Sequence, residues 1–461
     1  MATTELYREF HRPGFHFTPA QGWMNDPNGL VFYQGQYHLF FQHNPFGTSW
    51  GNMTWGHAVS EDLVRWRQID NAICPDELGH IFSGSAVIDW RDSAGFGGGR
   101  ETMVAFYTSA GSMVSPPRPF TQSLAWSSDR GRTWTKYPGN PIVPEFRGGN
   151  RDPKVIWHEA AGRWLMALYL DANDYLLLSS SDLKHWAKLC EVTVSGASEC
   201  PDIFELPVLE GEESGSMGEM PVPLQEKRWV FWGASGLYLL GDLTADGFVP
   251  RGAAQKSELG STGYAAQTFS DIPASDGRRI QISWMAGTKF PRMPFNGQMS
   301  FPVELTLRRF SDGVFLCRTP VREIERLYGR CVEVIETDLT AGGQFVPETR
   351  HDLLDVSMDI EAPASAAVVV LVYGNALHLT PDQGKFNFLG RDVPLTPPHD
   401  GRVTLRLLID RTSVEIFDAS GRLSAGFAML PEAGDIPLVL QAHVKHVHLH
   451  RLTVHELRTI W

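Results

Sequence analysis

Apolar residues fall in short runs separated by turn residues. Leu30-Val31-Phe32-Tyr33, a Gly turn and Tyr37-His38-Leu39-Phe40-Phe41 read as a hairpin. Met103 to Tyr107, Arg163 to Tyr169 and Trp229 to Trp232 repeat the theme. Long stretches of helical periodicity are scarce, and 44 Gly and 30 Pro punctuate the runs, so the chain is predicted to be predominantly β. A weak repeat sharpens this. Ser60-Glu61-Asp62-Leu63-Val64-Arg65-Trp66 matches Ser180-Ser181-Asp182-Leu183-Lys184-His185-Trp186, and Ser127-Ser128-Asp129 with Trp134 is a variant between them. Ser and Asp side chains bond turn backbone, and the Trp anchors the strand that follows. Repetition at this spacing suits four-stranded blades with long loops, hence a β-propeller.

The texture changes near Arg318. Thr319 to Leu327 reads as a short Thr-capped helix with Pro320 in its first turn. Beyond it, Val368 to Val372, Val403 to Ile409 and Ser413 to Phe417 are the short, turn-bounded strands of a β-sandwich. The Glu/Gly/Ser/Met-rich stretch Glu210 to Met220 reads as a surface loop.

Composition mainly excludes. A formal charge of −13 disfavours nucleic acid or an anionic membrane as partner. No apolar run approaches membrane-spanning length. The five Cys are odd in number and include no C-x-x-C pair, so neither a disulfide framework nor a zinc site is expected. Reduced thiols and a polar N-terminus without an apolar h-region favour a cytoplasmic protein, with export by a removed leader as the alternative. The 14 Trp exceed ordinary usage; most are expected in the core, some against sugar C–H faces.

Three strings carry candidate chemistry. In Trp23-Met24-Asn25-Asp26-Pro27-Asn28-Gly29, Pro27 keeps Asp26 out of helix, beside an apolar wall. An ionised carboxylate there suits a nucleophile, although the same residues also open an Asx turn. Gly149-Asn150-Arg151-Asp152-Pro153 repeats the device; an Arg–Asp pair is either a structural ion pair or a clamp on vicinal hydroxyls. In Ser198-Glu199-Cys200-Pro201-Asp202, small or apolar neighbours favour an acid role for Glu199, with Asp202 positioned to orient it. An exposed loop Glu is the plain alternative. Two acids facing one bond are the usual equipment for glycoside cleavage.

Taken in order on an all-β repeat scaffold, these strings resemble glycoside hydrolase family 32, the β-fructosidases. Phe41-Gln42-His43-Asn44-Pro45, Trp50 to His57, Phe82-Ser83-Gly84-Ser85 and Ser413 to Phe417 extend the resemblance nearly end to end. It implies a five-bladed propeller followed by a C-terminal β-sandwich, and with the change of texture the expected bounds are 1–318 for the propeller, 319–330 for a short linker helix and 331–461 for the sandwich. It implies Asp26 as nucleophile, Glu199 as general acid/base and Asp152 as transition-state stabiliser. Asn25, Gln42, Trp50, Phe82, Ser83 and Arg151 match fructose-pocket positions, and Trp284 matches a nearby aromatic; Trp55 is expected in blade packing. No cofactor or metal is implied. The expected partner is a fructan or sucrose, with no nucleic acid or membrane, and a sandwich edge could pair two copies. The Trp50 to His57 string favours exo-acting hydrolysis of fructans over a sucrose-dedicated invertase or a fructosyltransferase. Ser198 stands where many relatives carry a bulky residue, which leaves the leaving-group side open. More distant readings are an inverting arabinanase-like propeller and a non-catalytic fructan binder.

Overall fold

The structure is a computed structural model that describes residues 5–211, 223–349, 351–361, 368–395, 402–432, 434–443 and 446–461. The expected surface loop therefore lies outside the described residues from 212 onward. Consecutive antiparallel strands build five blades. Blade I comprises Gly22–Tyr33, Gln36–Asn44, Thr54–Ser60 and Arg67–Ile73; blade II comprises His80–Asp89, Thr102–Ala110, Phe120–Ser127 and Thr135–Lys136. Blade III comprises Arg151–His158, Arg163–Asp171, Asp174–Ser180 and Ala187–Thr193; blade IV comprises Asp202–Glu210, Pro223–Trp232, Leu237–Thr244 and Gly247–Pro250. Blade V comprises Gly263–Thr268, Arg279–Met285, Val303–Phe310 and Gly313–Pro320.

The first strands of successive blades lie against one another around the axis. Buried Lys154 pairs there with Asp202 at 3.3 Å and donates to the Thr268 carbonyl, tying blades III, IV and V. The repeated Ser-x-Asp turns join the third and fourth strands of blades I, II and III. In each, the Asp caps turn N–H groups and the Trp indole donates back to a turn carbonyl.

Among the described residues, the sandwich stacks two six-stranded sheets. One runs, in spatial order, Tyr328–Leu339, Val447–Leu457, Leu354–Glu361, Arg402–Asp410, Ser413–Asp418 and Ser424–Ala428. Alternate residues such as Val356, Met358, Leu405 and Leu407 face Val368, Val370, Leu377 and Phe386 of the other sheet in a continuous core. The connecting helix differs from expectation. Thr319 and Pro320 end the last propeller strand, where Pro320 pairs with Val303. A six-residue 3-10 helix, Arg322–Leu327, then starts from Val321 without a side-chain cap. Its buried Ile324 and Leu327 hold it in place of a cap.

Ring closure involves the sandwich. Blades I and V touch directly: Ser270 N–H donates to the Leu30 carbonyl, Phe32 N–H donates to the Ser270 carbonyl, and Gly22–Trp23 pairs with Phe295–Asn296. The segment leading into blade I is also clasped from outside. Asp410 accepts from the N–H groups of Gly14 and Phe15 and bonds His16 Nδ1 at 2.8 Å. Glu415 bonds His16 Nε2 at 2.7 Å and accepts from Phe301 N–H at 3.1 Å. One sandwich carboxylate thus holds the entry to blade I and a segment inside blade V.

Candidate active site

All five blades send side chains to one end of the axis. Asn25 and Asp26 come from the first strand of blade I, Phe82 and Ser83 from blade II, and Arg151 and Asp152 from blade III. Glu199 and Cys200 immediately precede the first strand of blade IV, and Tyr264 lies in that of blade V. The same irregularity recurs at these points. Strand register slips between Met24 and Pro27, between Ile81 and Gly84, and between Tyr264 and Gln267. Asp152, Glu199, Cys200 and Ala265 have φ of 65°, 52°, 37° and 53°. Bulges and left-handed residues break the alternation of a strand and turn its side chains toward the axis.

The three predicted acids converge. Ser83 Oγ donates to Asp26 Oδ2 at 2.6 Å, and Asn25 Nδ2 donates to Oδ1 at 3.1 Å. Trp23 Nε1 in turn fixes Asn25 Oδ1 at 2.8 Å. The Cys200 thiol sits between Asp26 Oδ2 (3.7 Å) and Asp152 Oδ2 (3.5 Å), and Cys200 N–H donates to Asp152 at 3.1 Å. Arg151 spans the other side: its Nη2 is 2.8 Å from Glu199 Oε1 and its Nε is 4.0 Å from Asp152. The Tyr264 hydroxyl donates to Glu199 Oε2.

Electrostatics follow from this crowding. Burial raises the Asp26 pKa and the Glu199 charge adds to it, while Ser83 and Asn25 pull it back. Burial, then the Glu199 charge, push Asp152 up to about 7 against the opposing Arg151 guanidinium. Burial and the surrounding carboxylates hold the Cys200 thiol well above its ordinary value, so it stays a neutral donor.

Aromatic rings line the mouth. Trp50 is 49 % exposed and meets Phe82 edge-on at 5.9 Å between ring centroids. Trp284 packs between Trp23 (6.1 Å) and Tyr264 (6.5 Å). Gln42 is buried and donates to the Ile81 carbonyl at 3.0 Å, directly before Phe82. Trp55 is fully buried in blade packing, as expected. Every predicted site residue therefore lies at this end of the ring. Two expectations need correction. Asp202 does not orient Glu199. Its carboxylate accepts from Thr268 N–H and pairs with Lys154, because the turn at Glu199–Cys200 and Pro201 sends it inward along the axis. The small chain neighbours of Glu199 also do not make its surroundings apolar, since Arg151 and Tyr264 reach it from the two flanking blades. Tyr264 and the bridging thiol of Cys200 were not anticipated as site groups. Gly263-Tyr264-Ala265 has no acid or Pro to single it out.

A ring of β-blades focusing three carboxyls, an Arg and aromatic walls on one mouth is the architecture of a glycoside hydrolase. Residues 16–320 match the glycosyl hydrolases family 32 N-terminal domain and residues 358–456 match the family 32 C-terminal domain, and the chain belongs to this family. It is 35 % identical over 514 aligned positions to a levanase of Bacillus subtilis, covering 100 % of this chain and 72 % of that protein. It is 27 % identical to an extracellular exo-inulinase of Aspergillus awamori over 99 % of this chain and 96 % of that one. The crystal structure of exo-inulinase from the same organism superposes with a TM-score of 0.86 at 25 % identity, covering 99 % and 100 % of the two chains. Fructan 1-exohydrolase IIa of Cichorium intybus shares the fold with a TM-score of 0.78 at 23 % identity, covering 97 % and 98 %.

Proposed function

We propose that the chain is a retaining, exo-acting β-fructosidase that removes terminal fructofuranosyl units from fructans and also splits sucrose. The observation that carries this reading is the junction of Asp26, Asp152 and Glu199 through Cys200 and Arg151. Asp26 Oδ attacks the anomeric C2 as the bond from C2 to the leaving oxygen breaks, and Glu199 gives that oxygen its proton. In the second half, Glu199 takes a proton from water, the water oxygen bonds C2, and the C2–Asp26 bond breaks. Asp152 and Arg151 hold the fructose hydroxyls and balance the charge that develops on the ring. Ser83 and Asn25 fix the attacking carboxylate in line.

The test is fructose release from levan, inulin and sucrose by the parent, Asp26→Asn and Glu199→Gln. Asp26→Asn is expected to lose nearly all turnover on every substrate while folding normally. Glu199→Gln is expected to keep more activity on fructosides whose leaving group needs no proton. An active Asp26→Asn variant refutes the assignment. Release of β-fructose as the first product, read by NMR, supports retention; the α-anomer overturns it.

The levanase relative, aligned over the whole chain, supports fructan substrates. An invertase of Schizosaccharomyces pombe aligns at 34 % identity with 66 % of the chain and favours sucrose as the second reading. Relative release rates separate the two. The Aspergillus exo-inulinases are named extracellular, which favours the exported alternative over a cytoplasmic enzyme. Pairing of two copies through the sandwich edge Tyr328–Leu339 is opposed by its exposed Arg330, Glu333 and Glu336.

A further inference from the structure

The outer face of the sandwich carries a cluster that the fructosidase reading does not use. His448 and His450 alternate along Val447–Leu457, so both point outward while Val447 and Leu449 fill the core. The neighbouring edge strand runs antiparallel with Thr337 opposite Leu449 and Asp338 opposite His448, which puts Glu336 on the same face across from His450. On the other side, Glu361 pairs in register with His448. Three strands thus converge two imidazoles and three carboxylates.

The orientation of the rings is the informative point. His448 Nε2 lies 2.9 Å from Glu336 Oε2, and its other nitrogen, Nδ1, is bonded by Asp338 at 2.7 Å. His450 Nδ1 lies 3.6 Å from Glu336 Oε1, and its other nitrogen, Nε2, is bonded by Glu361 at 2.9 Å. Donor atoms of Glu336, His448 and His450 all fall within 4.8 Å of one another. Each imidazole therefore turns one nitrogen to a common point and has the other held by a separate carboxylate. That is the arrangement by which metal-ligating His residues are oriented and made more basic.

We propose that Glu336, His448 and His450 form a binding site for a divalent transition ion, with Zn²⁺ the best fit, and that Asp338 and Glu361 are its positioning groups. Two imidazoles and one carboxylate favour such an ion over Ca²⁺ or Mg²⁺, which take oxygen ligands. The side chains are partly exposed, leaving coordination positions for water or a further donor. An ion here would tie the edge strand Tyr328–Leu339 to its neighbour.

The test uses the full chain, stripped with chelator and titrated with ZnCl₂ by calorimetry. Thermal midpoints are measured with and without Zn²⁺. One Zn²⁺ per chain and a raised midpoint are expected. The double variant His448→Gln/His450→Gln and, separately, Glu336→Gln are expected to lose both effects. Asp338→Asn is expected to weaken binding about tenfold or more. Fructose release in chelator, unchanged across the set, shows that the variants fold. Zn²⁺ binding by the double variant equal to that of the parent overturns the proposal. So does displacement of Zn²⁺ by an equal concentration of Ca²⁺.

Discussion

Asp152 illustrates how the site works against the fold. Its carboxyl has a pKa of about 7 in the folded chain, against an ordinary value of 3.8. Between about pH 4 and 7 the folded state keeps a proton that the unfolded state has already released, so folding stability falls as pH rises through that window. Below it the group has no effect, and above it the full cost of the buried charge is present. Asp152→Asn removes the titration. The variant is expected to be more stable than the parent above pH 7 by roughly 2–4 kcal/mol, with the gain vanishing toward pH 4. Urea midpoints measured across that range check this, and a pH-independent difference contradicts it. At this scale the sequence was legible where a Pro-bounded acid stood out, as at Asp26 and Asp152. It was silent where a role depends on a partner from another blade. Tyr264 reaches Glu199 from the neighbouring blade, and Cys200 meets two acids 174 and 48 residues away in sequence.

Among the elements, the turns closing blades I to III are built alike. Asp62 accepts from Val64 N–H, Arg65 N–H and the Arg65 guanidinium, and Leu63 is held at φ 65°. The equivalent Arg130 and Leu183 have φ of 65° and 63°. A left-handed non-Gly residue is unfavourable and persists only because the Asp and Ser bonds fix the turn. Asp62→Ala leaves buried N–H groups without their acceptor and is expected to cost about 1–3 kcal/mol, read from urea midpoints. A change within the scatter of ordinary surface substitutions contradicts the role. These turns are why three blades could be read from the chain. Blades IV and V escape the pattern because their outer hairpins turn differently. Leu237–Thr244 and Gly247–Pro250 are joined by two residues with Thr244 opposite Gly247, a connection that needs no Asp cap or Trp anchor. At the domain junction Thr319-Pro320 resembles a helix start, but strand pairing with Glu304 and Val303 claims both residues first.

For the whole molecule, the clasp between N-terminal segment and sandwich sets a pH limit. Burial alone would depress the His16 imidazolium, but Asp410 and Glu415 raise its pKa to about 9. The folded state then binds a proton more tightly than the unfolded one. This contribution is complete below pH 6.5 and is lost as pH rises through about 9. His16→Ala leaves two buried carboxylates without the imidazolium between them and is expected to cost about 3–5 kcal/mol at pH 6. It should also flatten the fall in thermal midpoint between pH 6.5 and 9; an unaltered slope would assign that fall to other groups. Glu415 gives the clasp a wider meaning, because it grips His16 and Phe301 together. The circle of blades has a seam, and the sandwich is its keystone. Loosening that keystone by alkali, or by Glu415→Ala, should let the seam gape and pull Asn25 and Asp26 away from Tyr264 while each blade keeps its own pairing. Turnover would then fade at a lower temperature than the far-ultraviolet dichroism of the strands.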